Sequence, residues 1–147
     1  MGALVLQAGR PVLIVPGTID KLVLGHVIVA WKDTRETRRA ALDALPLLKM
    51  AARVTVVEVA AEGDLESARL HLEDVVVWLK RHDIAAALLV SASNGDDTGR
   101  LNAIAQEQNV DLIVAGAYGH SRLRELVLGG VTHDLLLCPG RCVLVSH

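Results

Sequence analysis

The stretch GAYGHSRLRELVLGGVTHDLL, Gly116 to Leu136, follows directly on the apolar run VDLIVA, Val110 to Ala115. A short β-branched run that ends at a glycine-rich polar segment reads as a buried strand feeding a loop. In an open parallel sheet, ligands bind beyond the carboxyl ends of the strands. Glycines let a backbone approach a ligand closely. A helix starting near Gly129, Gly130, Val131 and Thr132 would turn free N–H groups toward an anion. His120, Arg122 and Arg124 place basic groups in the same segment. On these grounds the loop is either a phosphate cradle or a tight turn between a strand and a helix. It is neither G-x-G-x-x-G nor a GxxxxGK[ST] loop.

Working outward, short apolar runs alternate with longer periodic stretches. Val27–Trp31, Arg53–Ala60, Ile84–Ala92, Val110–Ala117 and Arg141–Ser146 read as strands. Thr34–Ala52, Gly63–His82 and Thr98–Asn109 read as helices, the second with Asp64 as N-cap and Leu65, Ala68, Leu72, Val75, Val76 and Leu79 as its apolar stripe. Pro46 predicts a kink or a division of the first helix. Strands alternating with helices imply right-handed crossovers, and so an α/β fold with a doubly wound, open sheet of about five parallel strands.

Composition agrees. The chain has 147 residues, enough for one domain with a real core. Apolar residues make up 52%, with two Trp, one Tyr and no Phe, so the core is aliphatic, as in parallel strands covered by helices. No apolar run approaches the ~18 residues of a membrane span. A net charge of −2 with interspersed signs excludes a nucleic-acid footprint. The N-terminus lacks a signal-peptide pattern. A soluble, cytoplasmic protein is expected, with Cys138 and Cys142 as free thiols. Their C-x-x-x-C spacing is not a redox motif, and His133 with Cys138 is not a zinc spacing.

One internal repeat stands out. LVLQAGRPVLIVP, Leu4–Pro16, resembles LLLCPGRCVLVSH, Leu135–His147, at a constant offset of about one domain length. Both read as a helix end, a Gly-Arg turn and a strand. The expected organisation is therefore a remnant strand of a preceding repeat in residues 1–18 and a full domain in 19–147. Pro11–Val15 is expected to pair antiparallel with Cys142–Val145, either within the chain or swapped between two chains, covering an edge that would otherwise be open.

Gly116, Gly119 and Gly129 match the glycines of the nucleotide loop of the universal stress protein family, in which two residues and then nine separate them. VIVAWKDTRETRRAALDALPLL resembles that family's first strand and helix, and the resemblance covers Gly25 to His147. It implies the adenine-nucleotide α-hydrolase-like fold, a noncatalytic regulatory role in stress response, and ATP or another adenine nucleotide held between the first strand's end and the glycine loop. It also implies a homodimer formed through the last strand. The site so implied comprises Ala30, Trp31, Lys32, Asp33, Val59, Gly116, Gly119, His120, Arg122, Gly129, Gly130, Val131 and Thr132. Two positions depart from the family pattern. Lys32 stands where the family has an Asp on the adenine side, and Gly130 stands where it has a phosphate-binding Ser or Thr. These departures favour a second reading, a nucleotide-free dimerisation or interaction module. An enzyme such as an ATP pyrophosphatase is a third, but AWKDTRET lacks the S-G-G-x-D-S-type loop it would need. Trp31 is open to two roles, adenine stacking or plain core.

Overall fold

The computed structural model describes residues 7–117 and 141–147. Their strands are β1 (Val12–Ile14), β2 (His26–Ala30), β3 (Arg53–Ala60), β4 (Ala86–Ala92), β5 (Leu112–Gly116) and β6 (Cys142–Ser146). The helices are α1 (Arg35–Met50), α2 (Leu65–Arg81) and α3 (Asp97–Glu107), with a short 3-10 turn at Glu62–Asp64. The strands form one sheet in the order β1-β6-β5-β2-β3-β4. Strands β2 to β6 run parallel. β1 runs antiparallel to β6, the pairing the repeat predicts, with Leu13 opposite Leu144; of the two forms left open, it is the one within the chain. The strand order reverses between β2 and β5. That is the switch point where the ends of two strands part and a crevice opens.

Alternation along the strands divides the core into two layers. Val27, Val29 and Trp31 pack with Ala40, Ala41, Ala44 and Leu48 of α1 and Leu72, Val75 and Leu79 of α2. Ile28, Val57 and Ile113 face the other way, against Ile104 and Ala105 of α3. The buried side chains of both layers are aliphatic apart from Trp31 and Cys142, with Trp78 packed against the first layer.

The helix ends are locally encoded. The Thr34 hydroxyl accepts from the Thr37 amide at 3.2 Å, and the Asp96 carboxylate accepts from the Gly99 amide at 2.9 Å. Asp83 and Asn109 take positive φ, 62° and 51°, directly after α2 and α3. In each case the next residue, Ile84 or Val110, donates back to the last helical turn, at Leu79 and Ala105. This is the Schellman arrangement, with Asp or Asn in place of the usual glycine.

Two expectations are corrected, the first of them only as to a division of the helix at Pro46. α1 runs through Pro46 undivided. The carbonyl that loses its donor belongs to Leu42, which is 54% exposed, so water can satisfy it. Asp64 occupies the N-cap position of α2, but its side chain makes no capping bond. The 3-10 turn leads straight into the helix, and the Asp64 amide is already bonded to the Ala61 carbonyl.

Candidate functional site

The crevice lies beyond the ends of β2 and β5. Alternation sends Trp31 and Lys32 to opposite sides. Trp31 is 7% exposed and belongs to the layer under α1 and α2. Its backbone amide continues the ladder to the Val57 carbonyl at 2.7 Å. Its indole Nε1 is buried without a hydrogen-bond partner among the described residues. Of the two roles left open by sequence, core packing is where the side chain stands.

Lys32 turns to the α3 side. Its ammonium donates to the Val59 carbonyl at the end of β3 and lies 3.8 Å from the Asp97 carboxylate at the start of α3. Asp97 in turn accepts from the Ser93 hydroxyl. One cation thus ties together the ends of β2, β3 and α3. Ala30 ends β2 half-buried beside it. Asp33, one position on, pairs with Arg38 of α1. The Lys32 carbonyl accepts from the Thr34 amide at 2.7 Å, which closes the turn into α1.

Gly116 ends β5 against the first turn of α1. A Cβ there would lie 2.7 Å from the Thr37 nitrogen and 2.8 Å from the Glu36 carbonyl carbon. Only glycine lets helix and strand approach this closely. The absent side chain is therefore required by the protein's own backbone at this position. Gly119, His120, Arg122, Gly129, Gly130, Val131 and Thr132, the rest of the glycine loop, lie outside the described residues.

One residue that the sequence reading passed over stands beside Trp31. Glu58 is 8% exposed, on the same face of β3 as Val54 and Val56. Burial pushes its carboxyl above the ordinary value, opposed by Lys32 and His71 and reinforced by Asp33 and Asp64. Its Oε2 and the His71 Nδ1 are both buried and have no hydrogen-bond partner among the described residues. The signal was present: it is the one acid in the apolar strand RVTVVEVA.

At the opposite end of the strands, Ile19, Leu22, Asp111 and Cys142 help line a small cavity of about 110 Å³. Cys142 is a free, fully buried thiol, pushed up by burial and by Asp111, which suits an inert core cysteine. Among the described residues no group of His, Cys, Asp and Glu is arranged to hold a metal ion, and no helix is long and apolar enough to cross a membrane.

No family model matches the chain. It is 27% identical over 136 residues to a universal stress protein of Methanocaldococcus jannaschii, across 86% of this chain and 76% of that protein. Its structure superposes on a universal stress family protein from Burkholderia pseudomallei with a TM-score of 0.64 and 25% identity, covering 83% of this chain and 95% of the other. The fold is that of the universal stress proteins. An Arabidopsis thaliana protein of that name, with AMP bound, has the same fold, with a TM-score of 0.58, 16% identity, and coverage of 83% and 90%. In this chain, the described residues at the crevice bond and pack among themselves. Lys32 occupies the Val59 carbonyl, Trp31 is in the core, and α1 fills the space over Gly116.

Proposed function

We propose that this chain is a universal-stress-type regulatory domain. It is noncatalytic, works in the cytoplasm, and takes an adenine nucleotide at the crevice between Trp31–Asp33 and the glycine loop. Residues 1–18 are the remnant strand of a preceding repeat, and 19–147 are the domain. The last strand carries its association with a second copy. The observation that carries the reading is topological. The first of three family-spaced glycines, Gly116, stands at the end of β5, beside β2, where the strand order reverses. The AMP-bound relative from Arabidopsis supports the ligand class. A nucleotide bound there would regulate by favouring one conformation or partner over another.

A second reading has its own observation. Lys32 is satisfied within the protein, by Val59 and Asp97, and contributes no acidic contact. That favours a nucleotide-free interaction module of the same fold.

Thermal unfolding with AMP, ADP and ATP, with and without magnesium, separates the two. A ligand that binds only the folded state must raise its stability. The nucleotide reading expects a concentration-dependent rise. No shift at millimolar nucleotide removes it and leaves the interaction module. Steady phosphate release above a protein-free control overturns the noncatalytic assignment.

A further inference from the structure

Five buried side-chain atoms lack a hydrogen-bond partner among the described residues: Trp31 Nε1, Glu58 Oε2, His71 Nδ1, Asn102 Oδ1 and Arg141 Nε. The first three fall in one place. Strands β2 and β3 pair in parallel, with Val27 opposite Val54, Val29 opposite Val56 and Ala30 opposite Val57. One step further on, Trp31 stands beside Glu58, on the face that α1 and α2 cover. Both residues are more than nine-tenths buried, at 7% and 8% exposure. His71 lies on α2 one turn before Val75, which packs into the same layer. Its imidazole acts electrostatically on the Glu58 carboxyl, yet no hydrogen bond joins Nδ1 to Oε2. The two groups are near enough to interact and too far apart to bond directly. The other charged groups that act on Glu58 are engaged elsewhere. Lys32 is held by Val59 and Asp97 on the α3 side of the sheet, and Asp33 by Arg38. Asp64 lies exposed in the 3-10 turn.

We infer that one water molecule is bound between the sheet and α2, where it bridges Trp31 Nε1, Glu58 Oε2 and His71 Nδ1. Buried polar atoms without protein partners are the usual hosts of internal water, which typically makes about three hydrogen bonds. The three groups suit a single water. The indole N–H donates to its oxygen. Its two protons go to the Glu58 oxygen and to Nδ1 of a His71 whose own proton is on Nε2. A metal ion does not fit the same place, since an indole N–H is a donor only. This site lies on the α2 side of the sheet and does not depend on a nucleotide in the crevice. Consecutive residues thus tie the end of β2 in both directions. Lys32 reaches β3 and α3 directly, and Trp31 reaches β3 and α2 through water.

A high-resolution crystal structure of the full chain tests the site directly, and water-to-indole cross-relaxation by NMR tests it in solution, both without nucleotide. Trp78→Phe assigns the two indole N–H signals. The expected structure has an ordered water within hydrogen-bond distance of all three atoms. The expected spectrum has a cross-peak from the Trp31 Nε1–H to a water bound for longer than nanoseconds. Glu58→Leu/His71→Leu, which leaves Trp31 in place, is expected to abolish both. A direct bond between Glu58 and His71, or any other protein group in the water's place, overturns the inference. So does a water bonded to fewer than the three atoms, or a wild type without the cross-peak. A cross-peak that survives the double variant also overturns it, because the indole alone would then hold the water. If the double variant does not fold, Glu58→Leu alone takes its place, with loss of the cross-peak still expected and its survival still decisive against the bridge.

Discussion

The ammonium of Lys32 rests on the carbonyl of Val59, so the end of β2 is bonded to the end of β3, its neighbour on the side away from β5. The resemblance to universal stress proteins implies an acidic residue at this place, facing the adenine. Here a cation faces inward and consumes an acceptor. Lys32→Asp removes the strap and restores the acid. The apo protein is expected to lose about 1.5 kcal/mol, the low end for a hydrogen bond to a charged group, as suits a partly exposed ammonium. Its AMP-induced thermal shift is expected to exceed that of the wild type at equal AMP. An unchanged shift would mean that Lys32 does not govern the base side.

Glu58 gives a pH-dependent prediction. Its carboxyl is raised in the folded state, chiefly by burial. The folded protein therefore holds this proton more tightly than the unfolded chain does. Stability from that preference is fully present below the ordinary carboxyl value of 4.5 and is lost as pH rises through the raised folded value. Glu58→Gln removes the cost of a buried charge, so at pH 7 to 8 the variant is expected to unfold at higher denaturant than the wild type, by roughly 1 kcal/mol. Near pH 4 the difference should vanish. A gain of equal size at both pH values would show that the carboxyl's charge is not its cause.

Gly116→Ala tests whether the loop's first glycine serves the fold. The added methyl meets the backbone of Glu36 and Thr37 below 3 Å, and neither strand nor helix is free to yield. Overpacking of this kind costs about 1–3 kcal/mol. Chemical denaturation of the apo protein should show that loss with no nucleotide present. A neutral substitution would mean that α1 can shift, and would return Gly116 to a role in the ligand loop alone.

These three positions show what the sequence made legible. Alternating β-branched runs and amphipathic stretches carried the layer order, because burial on both faces leaves no other pattern for β2, β3 and β5. The repeat carried the β1–β6 pairing, which no local propensity encodes. The bonds of Lys32 were not legible, since its partners, Val59 and Asp97, lie on two other elements and one of them is a backbone carbonyl. Gly116 was read as a close approach to a ligand; the close approach on the page is to α1, which only the packed structure reveals. Pro46 does not divide α1, because the cost of a missing N–H depends on whether the orphaned carbonyl reaches water, and exposure is a tertiary property. For the glycine loop beyond Ala117, the sequence spacing stands alone.

The helix ends carry the last prediction. Asn109 sits at φ 51°, directly after α3, and its amide returns to the Gln106 carbonyl at 3.2 Å while Val110 returns to Ala105 at 2.9 Å. This pair of bonds sets the turn from which β5 departs toward Gly116. A residue with a Cβ pays about 1–2 kcal/mol to hold the left-handed conformation, and Asn is among the few that tolerate it. Asn109→Val is therefore expected to destabilise by about that amount, because a β-branched side chain is the least suited to positive φ. Asn109→Gly should be neutral or slightly stabilising, the relief of strain offset by the greater freedom of glycine in the unfolded chain. Urea unfolding of the two variants checks the order. If both lose the same stability, the side chain of Asn109, and not its backbone conformation, is what holds the end of α3.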